Sequence, residues 1–289
     1  MKSLRAFDFL GNIAIVKFSK EFKQSEKKKY ARELMIGNKS IKTILEKEGK
    51  IKGRLRKLTT KWVAGEKTKE VLYKENNCVF RFNVDKTYFS PRLSNERKEI
   101  ASKIKKGESV FVMFAGVSPF SIVIARNSNA EKVYSNEINR EANKYGKINI
   151  RLNNVKDKVE LIPGDIKKVA DKLCKKDLRF SSEANKKTAQ QCRGGKLSEG
   201  NRICPRFDVI VMPRPQLKDT FLKEAFKFSK KATRIYYYDF CGVDEIDSIV
   251  EKIKSEASRA KKKIKILKTK KAGEIAPYKI RVRVDFVVN

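Results

Sequence analysis

The spacing of apolar residues changes at about residue 86, and this change divides the chain into two predicted units. In the first unit, short apolar runs alternate with polar positions, which is typical of strands with one buried face. Between two of these runs, Tyr30, Leu34 and Met35 are spaced as one face of a basic helix. The pattern predicts a small α+β domain over residues 1–86. Its predicted elements are two strand pieces around Gly11 within residues 7–17, a helix over 20–37, and strands over 54–64, 70–74 and 78–84.

Beyond residue 86, apolar strands alternate with amphipathic helical segments. This alternation predicts βαβ units and a mostly parallel sheet, and therefore an α/β domain over residues 87–289. The last two strands have no helix between them, which predicts an antiparallel hairpin at one edge. The predicted helices are 95–105, 119–126, 140–153, 166–174, 216–228 and 243–258, and the predicted strands are 110–116, 132–138, 159–165, 207–212, 233–240, 263–268 and 280–287.

One stretch, residues 175–206, interrupts this pattern. It is polar, basic and too long for an ordinary connection, so it is predicted to be an insertion. Two interpretations remain open: a solvated, partly disordered segment, or a loop that grips RNA.

The charge of the chain points to a polyanionic partner. The 69 lysines and arginines exceed the 34 aspartates and glutamates, which gives a formal net charge of +35. A compact fold with this excess repels itself unless an anion offsets the charge, and a nucleic acid does so with counterion release. The alternative explanation of the lysine content is adaptation to a hot habitat. Such adaptation favours glutamate together with lysine, and here the glutamate content is not raised in the same way. We therefore expect RNA as the partner and no membrane.

Missing residue types narrow the chemistry further. The chain has no histidine, which excludes histidine general bases and histidine-ligated metals, so no metal site is expected. Five cysteines without a CxxC pair argue against a zinc site and against a disulfide framework. No apolar run approaches the roughly 20 residues of a membrane span, and the N-terminus lacks a signal-peptide cleavage site. We expect a cytoplasmic protein that acts as a monomer.

Three successive predicted strands end in residues suited to a nucleoside ligand. The first ends in the glycine turn Phe114–Pro119, the second in Glu137 and the third in Asp165. Small residues let the backbone approach a ligand, and an acid about 20 residues after a glycine turn is placed to bind ribose hydroxyls. The order favours S-adenosylmethionine over a dinucleotide, because GxGxxG is absent. Alternatively, the two acids only cap the following helices. A fourth strand ends in a rigid Pro213-Arg214-Pro215 exit.

Several segments resemble the archaeal and eukaryotic tRNA (guanine-37-N1)-methyltransferases. They span almost the whole chain apart from the insertion, and YFSPRLSNER followed by MFAGV is the most specific combination. The resemblance implies a Rossmann-like class I methyltransferase domain preceded by the small α+β domain. The other matching segments are FDFLGNIAIVK, RLRKLTTKWVAGE, YSNEIN, NIRLNNV, MPRP and APYKIRVRVDF.

The resemblance also implies a role for individual residues. Glu96 corresponds to the general base that removes the guanine N1 proton, and Arg56 to the cation that stabilises charge on O6. Tyr88, Arg92 and Arg97 correspond to residues that order the target base and the methionine end of the cofactor, and Pro213 and Pro215 lie where the base binds. The residues implied in cofactor binding are Tyr88, Arg92, Phe114, Ala115, Gly116, Val117, Pro119, Glu137, Ile138, Asn139, Asp165, Ile166 and Met212.

The chain departs from the family pattern at three points. Ser118 replaces the second glycine of FAGxGPF, and Pro213 replaces an asparagine that holds the base in many members. The Pro-x-Pro form resembles the archaeal branch that also methylates C7 of the wyosine precursor 4-demethylwyosine. The chain also begins where the second domain of the family normally begins. We expect N1 methylation of guanosine 37 in tRNA; a methyltransferase for another RNA and a non-catalytic RNA-binding protein are the alternatives.

Overall fold

The computed structural model of the chain describes residues 7–174 and 204–289. The N-terminal part contains β1 (Asp8–Leu10), β2 (Ile13–Val16), α1 (Gln24–Gly37), β3 (Thr43–Lys52), β4 (Lys57–Gly65), β5 (Glu70–Glu75) and β6 (Cys78–Asn83). Strands β1 to β4 form one sheet in chain order, in which only β2 and β3 are parallel. Helix α1 covers this sheet, with Ala31 buried in a core that contains Ala14, Ile44 and Val63. Strands β5 and β6 form a separate antiparallel hairpin.

Two boundaries and one strand of this part differ from the predictions. Helix α1 begins at Gln24 and not at residue 20, because the Lys23 amide donates to Glu26 Oε2 (2.6 Å) and fixes the start there. Strand β4 begins at Lys57, since Arg56 (φ 52°) belongs to the turn that precedes it. Strand β3 was not predicted, because its sequence TILEKEGKIK lacks the alternation of a half-buried strand.

The second part is a seven-stranded sheet with helices packed on it. The strand order is β9-β8-β7-β10-β11-β13-β12. The first five strands are parallel to one another, β13 is antiparallel to β11, and β12 is antiparallel to β13. This confirms the Rossmann-like α/β fold and the antiparallel edge hairpin. The elements are α2 (Ser94–Ser102), β7 (Ser109–Val112), α3 (Pro119–Asn127), β8 (Lys132–Glu137), α4 (Arg140–Leu152), β9 (Val159–Pro163), α5 (Ile166–Leu173), β10 (Phe207–Met212), α6 (Leu222–Lys227), β11 (Ser229–Gly242), α7 (Ile246–Arg259), β12 (Ile264–Ala276) and β13 (Lys279–Val288).

The two parts are held together by the β5–β6 hairpin, which packs on helix α4. The amides of Val79 and Arg81 donate to the side-chain oxygens of Asn153 (2.8 Å) and Asn149 (2.7 Å). These hydrogen bonds satisfy the outer edge of β6 with side chains from the second part. The hairpin therefore shares a core with the seven-stranded sheet, and the boundary at residue 86 stays a prediction.

The predicted helix 216–228 is mostly a loop. Only α6 is helical, because the Arg214 guanidinium binds the carbonyls of Leu217 (2.9 Å) and Asp219 (3.0 Å), and Phe221 takes a φ of 57°. This holds the chain in an irregular path beside the end of β10. Among the described helices, none is long and apolar enough to cross a membrane.

The cysteine prediction was partly wrong. A disulfide joins Cys174, at the end of α5, to Cys204, just before β10, although the odd cysteine count argued against such bonds. The spacing gave no signal because the two residues meet only through the fold. The predicted insertion lies outside the described residues except for its last three positions.

Candidate active site

The carboxyl ends of β7, β8 and β10 open into one cleft. The cleft lies where the strand order reverses between β7 and β10, which is where ligands bind in sheets of this kind. The predicted site residues on its wall are Arg56, Tyr88, Phe114, Gly116, Glu137, Ile138, Asn139, Ile166, Pro213 and Pro215.

The glycine turn after β7 has a left-handed backbone at three positions. Phe114, Gly116 and Ser118 have φ values of 58°, 59° and 68°. A Cβ on Gly116 would lie 3.4 Å from the Tyr88 carbonyl oxygen, so this position is both left-handed and tightly approached. Ser118 stands where the family usually has glycine, and its conformation gives the physical reason for that preference. Its Oγ lies 3.0 Å from Ser135 Oγ.

Glu137, at the end of β8, is a buried carboxylate fixed by backbone amides. Gly116 N donates to its Oε2 (2.7 Å) and Asn139 N donates to its Oε1 (2.7 Å). Burial raises the pKa of Glu137, and the hydrogen bonds from Asn139 and Gly116 offset only part of this effect. Each carboxylate oxygen keeps a further lone pair, so the group is placed to accept hydrogen bonds from ribose hydroxyls.

Asp165 forms the contacts of a helix cap and does not line the cleft. Its Oδ1 accepts from the amide of Lys167 (3.1 Å) at the start of α5, and its Oδ2 pairs with Arg54 (2.9 Å). Its neighbours Gly164 and Ile166 form the wall instead. Asp165 therefore caps α5, while adenine binding by its side chain stays a prediction.

Arg56 and Tyr88 form a stacked pair on the cleft wall. The Arg56 guanidinium carbon lies 4.1 Å from the centre of the Tyr88 ring. Burial alone would raise the pKa of Tyr88, but the charges of Arg56 and Arg281 outweigh it and lower that pKa. This wall is therefore cationic, as a site for charge on a base oxygen requires.

The Pro213–Pro215 segment is held rigid by the arginine between the two prolines. Arg214 is 4% exposed, forms an ion pair with Asp239 and binds the three carbonyls of Pro215, Leu217 and Asp219. Asp239 also accepts from Tyr237 Oη (2.9 Å). The base side of the cleft is therefore preformed.

Two donors on this wall have no partner within the part of the chain that the structure describes. They are the Nε atoms of Arg56 and Arg214, both buried. Unpaired buried N–H groups are uncommon in folded proteins. Together with Glu137, the residues present fit a ribose-bearing cofactor and an acceptor-rich base.

Glu96, the predicted general base, is placed beside the cleft and not on its wall. Its Oε2 accepts from Tyr238 Oη (2.8 Å) and Arg283 Nη1 (2.6 Å), and its Oε1 pairs with Lys270 (2.8 Å). Burial alone would raise the pKa of Glu96, but the Lys270 hydrogen bond and the Arg283 charge outweigh it and lower that pKa. Tyr238 is buried and lines the cleft, so one residue contacts both Glu96 and the cleft.

Arg92 and Arg97, predicted to order the ligands, lie off the cleft wall, and their predicted roles stay predictions. Arg97 is 1% exposed and forms an ion pair with Glu75, and it also donates to the Ser90 carbonyl (3.0 Å). Arg92 is exposed and pairs with Asp8 (3.4 Å). Neither guanidinium reaches the cleft wall. Ala115, Val117, Pro119 and Met212 also lie behind the wall, as buried parts of the turn and strand ends.

Several polar, charged and aromatic wall residues were not predicted as site residues. Arg54 and Arg281 add positive charge, and Tyr238 and Phe240 extend from β11. Arg214 also lines the cleft, and its position between two prolines gave no sign of a role there. They come from distant parts of the sequence, and no local spacing links them. No cluster of metal-binding side chains is found among the described residues.

Comparison with known proteins places this site in a known family. The family model described as the TRM5/TYW2 methyltransferase domain matches residues 71–182. The tRNA (guanine(37)-N(1))/4-demethylwyosine(37)-methyltransferase Taw22 of Nanoarchaeum equitans is 34% identical, over 97% of this chain and 98% of that protein.

Two solved structures agree with this result. The crystal structure of Trm5b from Pyrococcus abyssi has a TM-score of 0.78 and 30% identity, over 98% of this chain and 75% of that chain. The complex of aTrm5 with tRNALeu has a TM-score of 0.74 and 25% identity, over 98% of this chain and 72% of that chain. The chain belongs to the TRM5/TYW2 family of methyltransferases.

Proposed function

We propose that the chain transfers a methyl group from S-adenosylmethionine to N1 of guanosine 37 in tRNA. The observation that carries the proposal is the set of groups that line the cleft. Glu137 and the Gly116 turn suit a ribose-bearing cofactor, and the guanidinium groups of Arg56 and Arg214 suit a base with acceptor atoms. The names of its relatives, the tRNA in the aTrm5 complex and the net charge of +35 support tRNA as the substrate.

The cofactor supplies an electrophilic methyl group when it is bound, and the chain's residues prepare the acceptor. Guanine N1 carries a proton and becomes nucleophilic as that proton leaves, so negative charge develops on O6. Arg56, with its unpaired Nε and its fixed stack on Tyr88, is placed to stabilise this charge. Pro213 and Pro215 flank the base position with a rigid backbone that needs little ordering when the base binds.

The proton path runs from N1 through Tyr238 to Glu96. When a bound cofactor supplies its methyl group to N1, the N1 proton would pass to Tyr238 Oη and the Tyr238 proton would pass to Glu96 Oε2. Burial and the Glu96 charge raise the pKa of Tyr238 well above 10.0, so the phenol relays the proton and is not ionised beforehand. Arg283 and Lys270 keep Glu96 ionised and therefore ready to accept.

Two substitutions test the path. Tyr238→Phe keeps the ring but removes the relay, and Glu96→Gln removes the acceptor; we expect each to lower kcat by about 10²–10⁴-fold, the usual value of a positioned proton acceptor. Binding of S-adenosylhomocysteine by calorimetry should stay within about twofold of wild type. Wild-type kcat in Tyr238→Phe would exclude the relay and return direct proton abstraction to Glu96.

The function itself is tested with labelled S-adenosylmethionine and tRNA transcripts, followed by digestion to nucleosides. Label in 1-methylguanosine is expected. Tight S-adenosylhomocysteine and tRNA binding without any transfer would instead indicate a non-catalytic RNA-binding protein. All described cleft residues come from one chain, and we propose that a monomer is sufficient for activity.

A second acceptor, C7 of 4-demethylwyosine at the same position, is favoured by Pro213 and by the name of the Nanoarchaeum relative. Proline lacks the amide side chain of the asparagine common in the family, which leaves the base position less tightly specified. We expect transfer to tRNA that carries this precursor as well as to plain transcripts. Transfer to plain transcripts alone would remove this second activity and leave the first.

A further inference from the structure

The β12–β13 hairpin projects past the mouth of the cleft. The last parallel pairing at this edge of the sheet joins Met212 to Tyr237, but β11 continues to Gly242, opposite Lys279 at the start of β13. Five more residues of strand extend the sheet by roughly 16 Å beyond its carboxyl edge. Phe240 and Arg281, which pair across this overhang, both line the cleft. The hairpin is therefore a wall of the cleft that ends in a turn outside it.

The turn of this hairpin carries an aromatic residue in an unfavourable backbone conformation. Ala276 pairs with Lys279, so the turn consists of Pro277 and Tyr278. Tyr278 has a φ of 58°, the left-handed region in which a residue after proline is normally glycine or asparagine. Its side chain is 87% exposed and has no aromatic, cationic or hydrogen-bond partner within residues 7–174 and 204–289. No contact inside the described chain explains a tyrosine at this position.

A row of positive charges leads from this turn to the active site. Alternate residues of β13 point to one face, which places Lys279, Arg281 and Arg283 in line. Lys279 is exposed, Arg281 lines the cleft, and Arg283 binds Glu96. Three residues of strand separate Tyr278 from Arg281, or about 10 Å. This distance corresponds to one or two nucleotides of an extended strand.

We propose that Tyr278 stacks on a nucleobase next to the target nucleotide and that Lys279 contacts the phosphate between them. The inference rests on the proposed function, since it requires an RNA strand that enters the cleft. An exposed aromatic ring beside a basic strand is a combination that binds single-stranded nucleic acids. The bases stack on the ring, and the phosphates contact the cationic side chains. The ring would hold the neighbouring base when the target base leaves its stack.

The test compares four variants at the turn with a matched control. Tyr278→Ala and Tyr278→Asn remove the ring; asparagine also suits the left-handed turn, so it keeps the hairpin intact. We expect both to raise KM for tRNA by about tenfold or more, with kcat within about twofold. Tyr278→Phe and Tyr278→Trp should keep the wild-type KM. Ile36→Ala, at another highly exposed apolar position, should change neither constant.

Two further measurements separate stacking from general charge. A tRNA with 2-aminopurine at position 36 or 38 should change fluorescence on binding to wild type and to Tyr278→Phe but not to Tyr278→Asn. Lys279→Gln should reduce the slope of the logarithm of the tRNA binding constant against the logarithm of the salt concentration by about one. Equal KM values for wild type and Tyr278→Asn would overturn the proposal. So would a change in sedimentation of Tyr278→Asn without a change in KM, which would assign the turn to a second copy of the chain. A wild type that transfers no methyl group would instead count against the proposed function.

Discussion

Substitutions in the buried ion pair of Arg97 and Glu75 test whether Arg97 has a structural or a catalytic role. The Arg97 side chain is 1% exposed, that of Glu75 is 3% exposed, and the guanidinium carbon also lies 5.1 Å from the centre of the Phe89 ring. The pair fixes the end of the β5–β6 hairpin against the start of α2, just after Tyr88. We infer that Arg97 positions the Tyr88 segment and does not contact the substrate.

Removal of one partner leaves a buried charge without compensation, at a cost of about 3–5 kcal/mol. In a chain of this length each kcal/mol lowers Tm by roughly 2–4 °C, so Arg97→Met or Glu75→Leu alone should lose about 6–20 °C. The double variant removes both charges, and apolar replacements of buried pairs are often neutral. It still loses the hydrogen bond to the Ser90 carbonyl, about 1 kcal/mol, and the contact of the guanidinium with the Phe89 ring.

The assay is urea unfolding together with kcat/KM, measured well below the lowest Tm. Both single variants should be unstable, and the double variant should regain nearly all stability and at least a third of the wild-type kcat/KM. A double variant with wild-type stability but a kcat/KM lowered a hundredfold would refute the reasoning and place Arg97 at the substrate.

Three other predictions concern the cofactor side and the ion-pair network. Glu137→Gln should weaken S-adenosylhomocysteine binding at least tenfold by calorimetry, because charge-assisted hydrogen bonds are worth about 1.5–3 kcal/mol; unchanged affinity would assign Glu137 to the fold alone. Gly116→Ala should weaken the same binding and lower stability by about 1–2 kcal/mol, since a side chain is strained at φ 59°; wild-type values for both would contradict the tight turn. The hydrogen bond from Arg283 lowers the pKa of Glu99, so the stability that Glu99 contributes is present above the ordinary value of 4.5 and is lost as the pH falls below it. Urea titrations from pH 6 to 3 should therefore show that the free energy of unfolding falls more steeply in wild type than in Glu99→Gln. Parallel curves would mean that Glu99 does not contribute to the loss of stability in acid.

The cofactor side of the site could be predicted from local sequence. Gly116 and Glu137 end consecutive strands of a parallel sheet, and the carboxyl ends of such strands must share one edge. The buried runs of β7 and β10 likewise predict central strands. The sequence order of these elements is enough to bring their ends together.

The base side depends on contacts that local patterns do not carry. Tyr238, Lys270 and Arg283 come from the C-terminal strands, and they reach Glu96 only because β13 inserts between β11 and β12. The resemblance to known methyltransferases located Glu96, but the three donors around its carboxylate emerged only from the fold. The Cys174–Cys204 disulfide was missed for the same reason.

The central claim is tested most directly by methyl transfer to a pair of tRNA transcripts that differ only in G or A at position 37. With labelled S-adenosylmethionine under single-turnover conditions, we expect label in the G37 transcript alone, recovered entirely as 1-methylguanosine. Label in both transcripts, or in another nucleoside of the G37 transcript, would contradict the proposed acceptor.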